Sequence, residues 1–567
     1  MPAARATEAP TLDETLGGLS IERLTAHVTE FARWTKHAGT EEELRSLEYV
    51  RDEIASYGYR TELLLHDAYI SLPGPARVEA LGRTLRCNTH SFSRPSPAGG
   101  LEAEVVYGDR DVRGKIVLVD GIASPGSTVA ARTRGAVGQI HVSPHEHLHE
   151  MCISPVWGSP TDEDVGRLPS TVVVTVPLDE GEELKAACAQ GPVRATIHAE
   201  VDTGWRDTPI LVAELTSPDG GDDEPFVLFT GHHDTWHLGV MDNGGANATM
   251  LEVARACASG RSAWRRGLRV VFWSGHSQGR YSSSTWYADT HWEELEARAL
   301  VHVNVDSTGG RGNTVVSDTT AAAELASLAH EALTAQAGQE FSGRRMSRAG
   351  DQSFWGIGVP SIYGNMSEQP AQPGEANASA AVFGGGDRKG AGTGWWWHTP
   401  DDTLDRIDPE LLLRDTRIYQ HTVWRLLTDP VPPLDYAAAA RELASALEER
   451  QRQAGDGLDL SLCVERAREL ERRTARLAAS GRDPDELAAT LLRLSRAVVP
   501  LAYTRGDRFA HDPALEQAAL PALEDAARLA ALPAGSDERR FLLARLRRAA
   551  NRTAAELRAA LDVLGAE

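Results

Sequence analysis

The spacing of apolar positions changes character three times along the chain. Between Ile21 and Lys36 the residues Ile21, Leu24, Val28, Phe31 and Trp34 recur at helical spacing. A second amphipathic run over 41–57 sets Leu44, Leu47, Val50 and Ile54 on one face. Gly58 ends it, and Thr61-Glu62-Leu63-Leu64-Leu65 predicts a strand. From about 101 to 205 short apolar runs (104–107, 115–119, 171–175) lie between Gly- and Pro-rich turns, with brief helical stretches near 127–134 and 178–189. That texture predicts an inserted β-rich unit. Over 206–430 strands near 226–230, 268–274, 299–305, 314–317 and 359–363 alternate with helical patterns, as in a largely parallel sheet. Beyond 431 the chain is rich in Ala, Leu, Arg and Glu at helical period (437–454, 460–477, 484–499, 539–564). The expected fold class is α/β: a mixed, mainly parallel sheet flanked by helices, with a β-rich insert and a C-terminal helical domain. The divisions are a loose leader (1–17), a first part of the main domain (18–100), the insert (101–205), the rest of the main domain (206–430) and the helical domain (431–567).

Composition narrows the setting. The net charge of -23 argues against nucleic acid and anionic membrane as partners. The five cysteines (Cys87, Cys152, Cys188, Cys257, Cys463) are scattered and form no Cys-x-x-Cys pair. They fit a reducing compartment better than a disulfide framework or a thiolate metal site. No apolar stretch approaches the roughly 18 residues of a membrane span, and the first residues have no apolar signal core. A soluble, cytoplasmic protein is expected.

The candidate chemistry centres on 231–243. His232 and Asp234 follow the apolar run Phe226-Val227-Leu228-Phe229, and Asp242 opens the helical pattern from Ala246. Open α/β sheets hold their chemistry at such strand-to-helix turns. Imidazole with carboxylate suits Zn²⁺, and a ligating His needs an orienting partner, which Asp234 can supply. Asp306 ends the apolar run from Leu300, and His398 follows Trp395-Trp396-Trp397. Two further stretches stand out. His145-Glu146-His147-Leu148-His149 reads either as a metal-binding loop or as a solvated polar one. The segment 366–394, with Gly384-Gly385-Gly386, is too long and polar for a plain connector.

These pieces resemble the zinc aminopeptidase family that includes aminopeptidase Y, glutamate carboxypeptidase II and the non-enzymatic transferrin receptor. The resemblance rests on Gly231-His232-His233-Asp234-Thr235-Trp236, Asp242-Asn243, Phe272-Trp273-Ser274-Gly275, Val303-Asn304-Val305-Asp306 and His398-Thr399-Pro400-Asp401-Asp402-Thr403. It implies that the insert, with Val112-Arg113-Gly114-Lys115-Ile116-Val117 and Arg134-Gly135-Ala136-Val137-Gly138, is similar to a protease-associated domain. The helical tail resembles a dimerisation domain, which implies a homodimer. It also implies two zinc ions bridged by Asp242, one completed by His232 and Asp306, the other served by His398, with Asp234 orienting His232.

The chain departs from this pattern where the family has two adjacent glutamates, a general base and a metal ligand. His276 and Ser277 stand there, and Trp397 stands where many members have tyrosine. A neutral Ser277 hydroxyl is a poor zinc ligand, so one firm zinc site and a weak second one are expected. His276 can either ligate the ion of His398 or act as the base. Trp396, Trp397, Arg280 and Tyr281 are candidate substrate contacts, and Asp351 is a candidate orienting residue beside Gln352, where relatives carry histidine. Three functions follow. The first is a metal-dependent hydrolase of a peptide or small amide. The others are a catalytically silent scaffold and a single-metal acyl transferase of the cyclising kind.

Overall fold

The computed structural model describes residues 10–108, 111–371, 388–477 and 481–565. Its strands are β1 Arg60–Ala80, β2 Arg83–Leu85, β3 Asn88–Thr89, β4 Leu101–Tyr107, β5 Ile116–Asp120, β6 Gly138–Val142, β7 Val172–Val176, β8 Val193–Leu215, β9 Phe226–His232, β10 Gly267–Trp273, β11 Ala299–Val305 and β12 Ser361–Ile362. They join in one sheet ordered β12-β11-β9-β10-β8-β4-β5-β6-β7-β3, with β1 paired to β8 and β2 to β1.

The strands β9, β10, β11 and β12 run parallel. Every residue of β9, β10 and β11 is buried, because helices and loops cover both faces. Alternation then divides each strand between two cores. Val227 and Phe229 pack with the helices Ile21–Phe31, Ala246–Ser259 and Pro409–Thr428, while Phe226 and Leu228 pack with Trp273, Tyr287 and Phe354.

A long antiparallel ribbon links the main domain to the insert. β1 and β8 pair from Arg60↔Glu214 to Ala80↔Ala195, with one irregularity between Pro73 and Ala76. One end of β8 pairs with β10 and the other with β4. The insert is α/β rather than simply β-rich. Its strands β4, β5, β6 and β7 are parallel, the helices Pro125–Thr133 and Leu178–Gln190 accompany them, and a separate apolar core forms around Ile116, Ile140, Val174 and Ile197. The C-terminal helices Tyr436–Ala454, Ser461–Leu477, Pro484–Tyr503 and Asp537–Val563 bury Leu443, Leu447, Leu470, Leu494, Leu546 and Leu557, extending the main core.

Two expectations are corrected. The leader is not loose from residue 12 on: Leu12–Gly17 is helical, started by a capping box in which Thr11 and Glu14 satisfy each other's backbone N–H. The run 314–317 is not a strand. Val315 makes only an isolated bridge to Glu368, and the Val316 and Ser317 N–H groups are taken by the Gln339 side chain instead of a neighbouring strand. Of the segment 366–394, residues 372–387 lie outside the described residues.

Candidate metal centre

The parallel strands deliver the site residues at their C-terminal ends. His232 is the last residue of β9, Asp306 follows β11, and His276 lies three residues past β10. Asp242 sits in the turn before the helix Ala246–Ser259. Asn243 and Asn247 tie these ends together: both donate to the His232 carbonyl, and Asn243 also donates to that of Val305. Gly231 permits the close approach, since a Cβ there would lie 2.7 Å from the Val305 carbonyl oxygen.

Asp242 presents its two oxygens in opposite directions. Oδ1 lies 3.1 Å from His232 Nε2, and Oδ2 lies 3.1 Å from His398 Nε2. Asp306 Oδ1 is 3.8 Å from His232 Nε2. His276 stacks on His232 with ring centroids 3.8 Å apart, and its ligand nitrogen groups with a His232 nitrogen and an Asp306 carboxylate oxygen within 4.8 Å. His276 therefore stands on the His232 side, not beside His398.

Each of the three imidazoles is anchored through Nδ1. His232 Nδ1 lies 2.8 Å from the Asp234 carbonyl, His398 Nδ1 2.7 Å from the Glu150 carbonyl, and His276 Nδ1 2.7 Å from Asp351 Oδ2. With the proton on Nδ1, each Nε2 lone pair faces the centre, the arrangement second partners impose on metal-ligating histidines. His232 Nε2 and Asp242 Oδ1 are buried without a hydrogen-bond partner. Two buried acceptors 3.1 Å apart need a cation or a proton between them. The donor set of imidazole nitrogen and carboxylate oxygen fits zinc.

The electrostatics favour a cation. Burial works against charge on the His232 ring, but Asp242 and Asp306 outweigh it and hold its proton affinity well above the usual range. Burial also works against the Asp242 carboxylate, and His232 and His398 hold it well below its usual range. Asp351 is similarly lowered by His276 against the cost of burial. Asp402 accepts from the Met241 and Asp242 N–H groups and so fixes Asp242; burial pushes it up to about 7.

The other predicted residues divide. Asp234 touches His232 through its main-chain carbonyl, while its carboxylate Oδ1 is 3.8 Å from His232 Nδ1. That carboxylate instead accepts from the His276 and Ser277 N–H groups and holds their turn. Trp397, Arg280 and Tyr281 line a narrow cleft over the centre with Met151, Cys152 and Ser277. Trp396 is packed into the main core instead. The tryptophans lie on a turn, with Trp397 N–H bonded to the Gly394 carbonyl, so the face alternation of an extended strand does not apply. Arg280 and Tyr281 have φ of 50° and 69°, and burial pushes the Tyr281 phenol up to about 12. The contribution of the insert, through Glu150, Met151 and Cys152, carried no signal in the sequence.

Residues 211–423 match the family model described as Peptidase family M28. The chain is 26% identical over 235 residues to a probable glutamate carboxypeptidase VP8 of Zea mays, covering 39% of this chain and 32% of that protein. It is 28% identical over 227 residues to carboxypeptidase Q of Mus musculus, covering 36% and 47%. It thus spans about a third to a half of the length of these relatives. Among solved structures, a Peptidase M28 precursor from Shewanella amazonensis SB2B aligns with a TM-score of 0.56 at 19% identity, covering 74% of this chain and 98% of that one. An aminopeptidase from Aneurinibacillus sp. strain AM-1 gives 0.54 at 19%, covering 74% and 96%.

Proposed function

Because the chain carries a Peptidase family M28 domain over residues 211–423, we propose that it is a metal-dependent hydrolase of peptide or small amide bonds. The observation that carries this reading is the convergence of His232, Asp242 and Asp306 with the partnerless His232 Nε2 and Asp242 Oδ1. These residues would hold one tightly bound zinc ion, which supplies Lewis-acid polarisation of a carbonyl and acidification of a water. His398 and Asp242 Oδ2, with Ser277 nearby, offer a weaker second site.

In this reading His276 is the general base. Its Nδ1–H is held by the buried Asp351 carboxylate, so Nε2 is left to take a proton from the attacking water, and Asp351 stabilises the imidazolium that results. Trp397, Arg280 and Tyr281 form the substrate walls. A second reading is favoured by the grouping of the His276 nitrogen with a His232 nitrogen and an Asp306 carboxylate oxygen. As a further ligand His276 would close the site, as in structural zinc centres, and leave a silent scaffold.

The test combines elemental analysis with a screen of aminoacyl and acyl amides on the wild type and His276→Ala. About one zinc per chain, with hydrolysis lost in the variant and zinc retained, supports the first reading. Zinc without activity in either protein supports the second. An intact fold with no zinc overturns both.

A homodimer through the C-terminal helices and a reducing, cytoplasmic setting complete the proposal. Phe541, on the helix Asp537–Val563, is 75% exposed and is a candidate contact. Cys87, Cys152, Cys257 and Cys463 form no disulfide, and among the described residues no helix is long and apolar enough to cross a membrane. Sedimentation of wild type and Phe541→Glu checks the dimer, which the variant should split.

A further inference from the structure

The loop His145–His149 of the insert gathers three rings outside the centre described above. His145 and His149 face each other Nε2 to Nε2 at 3.2 Å, with ring centroids 4.9 Å apart. His147 lies 5.2 Å from His145, centroid to centroid, and stacks on Trp395 at 4.2 Å. The outer nitrogens of the facing pair are also partnered. His149 Nδ1 donates to the Trp397 carbonyl at 2.5 Å. His145 Nδ1 lies 3.2 Å from the His147 N–H and 3.5 Å from Ser143 Oγ.

Two ring nitrogens at 3.2 Å can share a proton or a cation. Zinc–nitrogen bonds of about 2.0–2.1 Å at a tetrahedral angle set two ligand nitrogens about 3.3–3.4 Å apart. Burial pushes His145 down to about 4 and His149 to about 3, so both are neutral at pH 7, as ligation requires. An all-imidazole donor set suits zinc, copper and nickel, not magnesium or calcium.

We propose that His145 and His149 form a two-imidazole transition-metal site distinct from the His232 centre, its other positions taken by water, while the His147 ring stays on Trp395. His145 Nδ1 accepts from the His147 N–H, so its ring proton lies on Nε2 between the two rings. When the cation is bound that proton moves to Nδ1, where Ser143 Oγ replaces the His147 N–H as partner, and the bond from His149 to Trp397 is retained. The next residue, Glu150, donates its N–H to the His398 carbonyl at 2.9 Å and accepts from His398 Nδ1. A cation here therefore braces the main chain that presents His398.

The test titrates chelator-stripped full-length protein with Co²⁺ and Cu²⁺ alone. Calorimetry counts the ions, and electron paramagnetic resonance reads nitrogen coupling to Cu²⁺. Wild type should bind one more ion per chain than folded His145→Gln/His149→Gln, and the variant should lose one nitrogen-coupled Cu²⁺ signal. Equal stoichiometry in wild type and the folded variant would overturn the proposal, leaving the facing rings as a hydrogen-bonded pair. Should the variant fail to fold, the wild type decides: at saturating Cu²⁺, no nitrogen-coupled ion beyond those lost on His232→Ala also overturns it.

Discussion

The two oxygens of Asp242 keep unequal company. Oδ1 meets His232, with Asp306 and His276 close by, all supplied by the ends of neighbouring parallel strands. Oδ2 meets only His398, which stands on a turn held by Glu150 of the insert, and the nearby Ser277 offers only a neutral hydroxyl. The difference lies in what fixes each donor. Strand ends in register place ligands by the main-chain ladder itself. A donor on a turn depends on docking between two separately packed units.

The comparison can be broken most directly at the metal. His232→Ala should take zinc from about one ion per chain to near zero by elemental analysis, with hydrolysis abolished, whereas His398→Ala should retain most of its zinc. Equal losses in the two variants would erase the asymmetry. The next effect is on turnover. Asp351→Asn removes the charged acceptor of His276 Nδ1–H, and steady-state kinetics should show kcat lower by roughly 10²-fold or more, with zinc content and KM little changed.

A third measurement separates the site from the background stability of the fold. Glu324, beside Glu442, Arg345 and Asp435, is pushed up to about 7 by burial. Its folded pKa is raised, so its contribution to stability is full below about 4.5 and is lost as pH rises through about 7. Wild-type melting temperature should fall across that window relative to Glu324→Gln, without any change in zinc content. The smallest effect concerns the docking side. Trp395→Ala removes the stack on His147 and should cost about 1 kcal/mol in denaturant unfolding, leaving the His232 side untouched.

The sequence made one half of the site readable and hid the other. His232, Asp242 and Asp306 each close an apolar strand or open a helix, so local pattern alone marks them. Helix positions in the C-terminal domain were readable for the same reason: their apolar stripes keep one period. The support of His398 was not. Glu150 lies 248 residues away, beside a loop that reads as metal-binding or as a polar turn and in neither case as a support for His398. The task of the Asp234 side chain was also concealed, because main-chain and side-chain oxygens of one residue cannot be told apart by type. Of the two tryptophans expected to touch substrate, Trp397 lines the cleft and Trp396 packs into the core, a division set by a turn that residue type does not reveal.

The ribbon of β1 and β8 has a consequence for how the cleft can open. These strands run through both packing units, paired over almost their whole length on either side of one irregularity. The one step between the insert and the main domain where bending would spare the hydrogen-bond ladder is the irregularity at Pro73–Ala76. Swinging the insert away about any other point would shear a shared β-ladder, which makes it a stiff parapet. Admission to the cleft is then governed by the width between Met151 and Cys152 on one rim and Arg280 and Tyr281 on the other, a caliper set at folding.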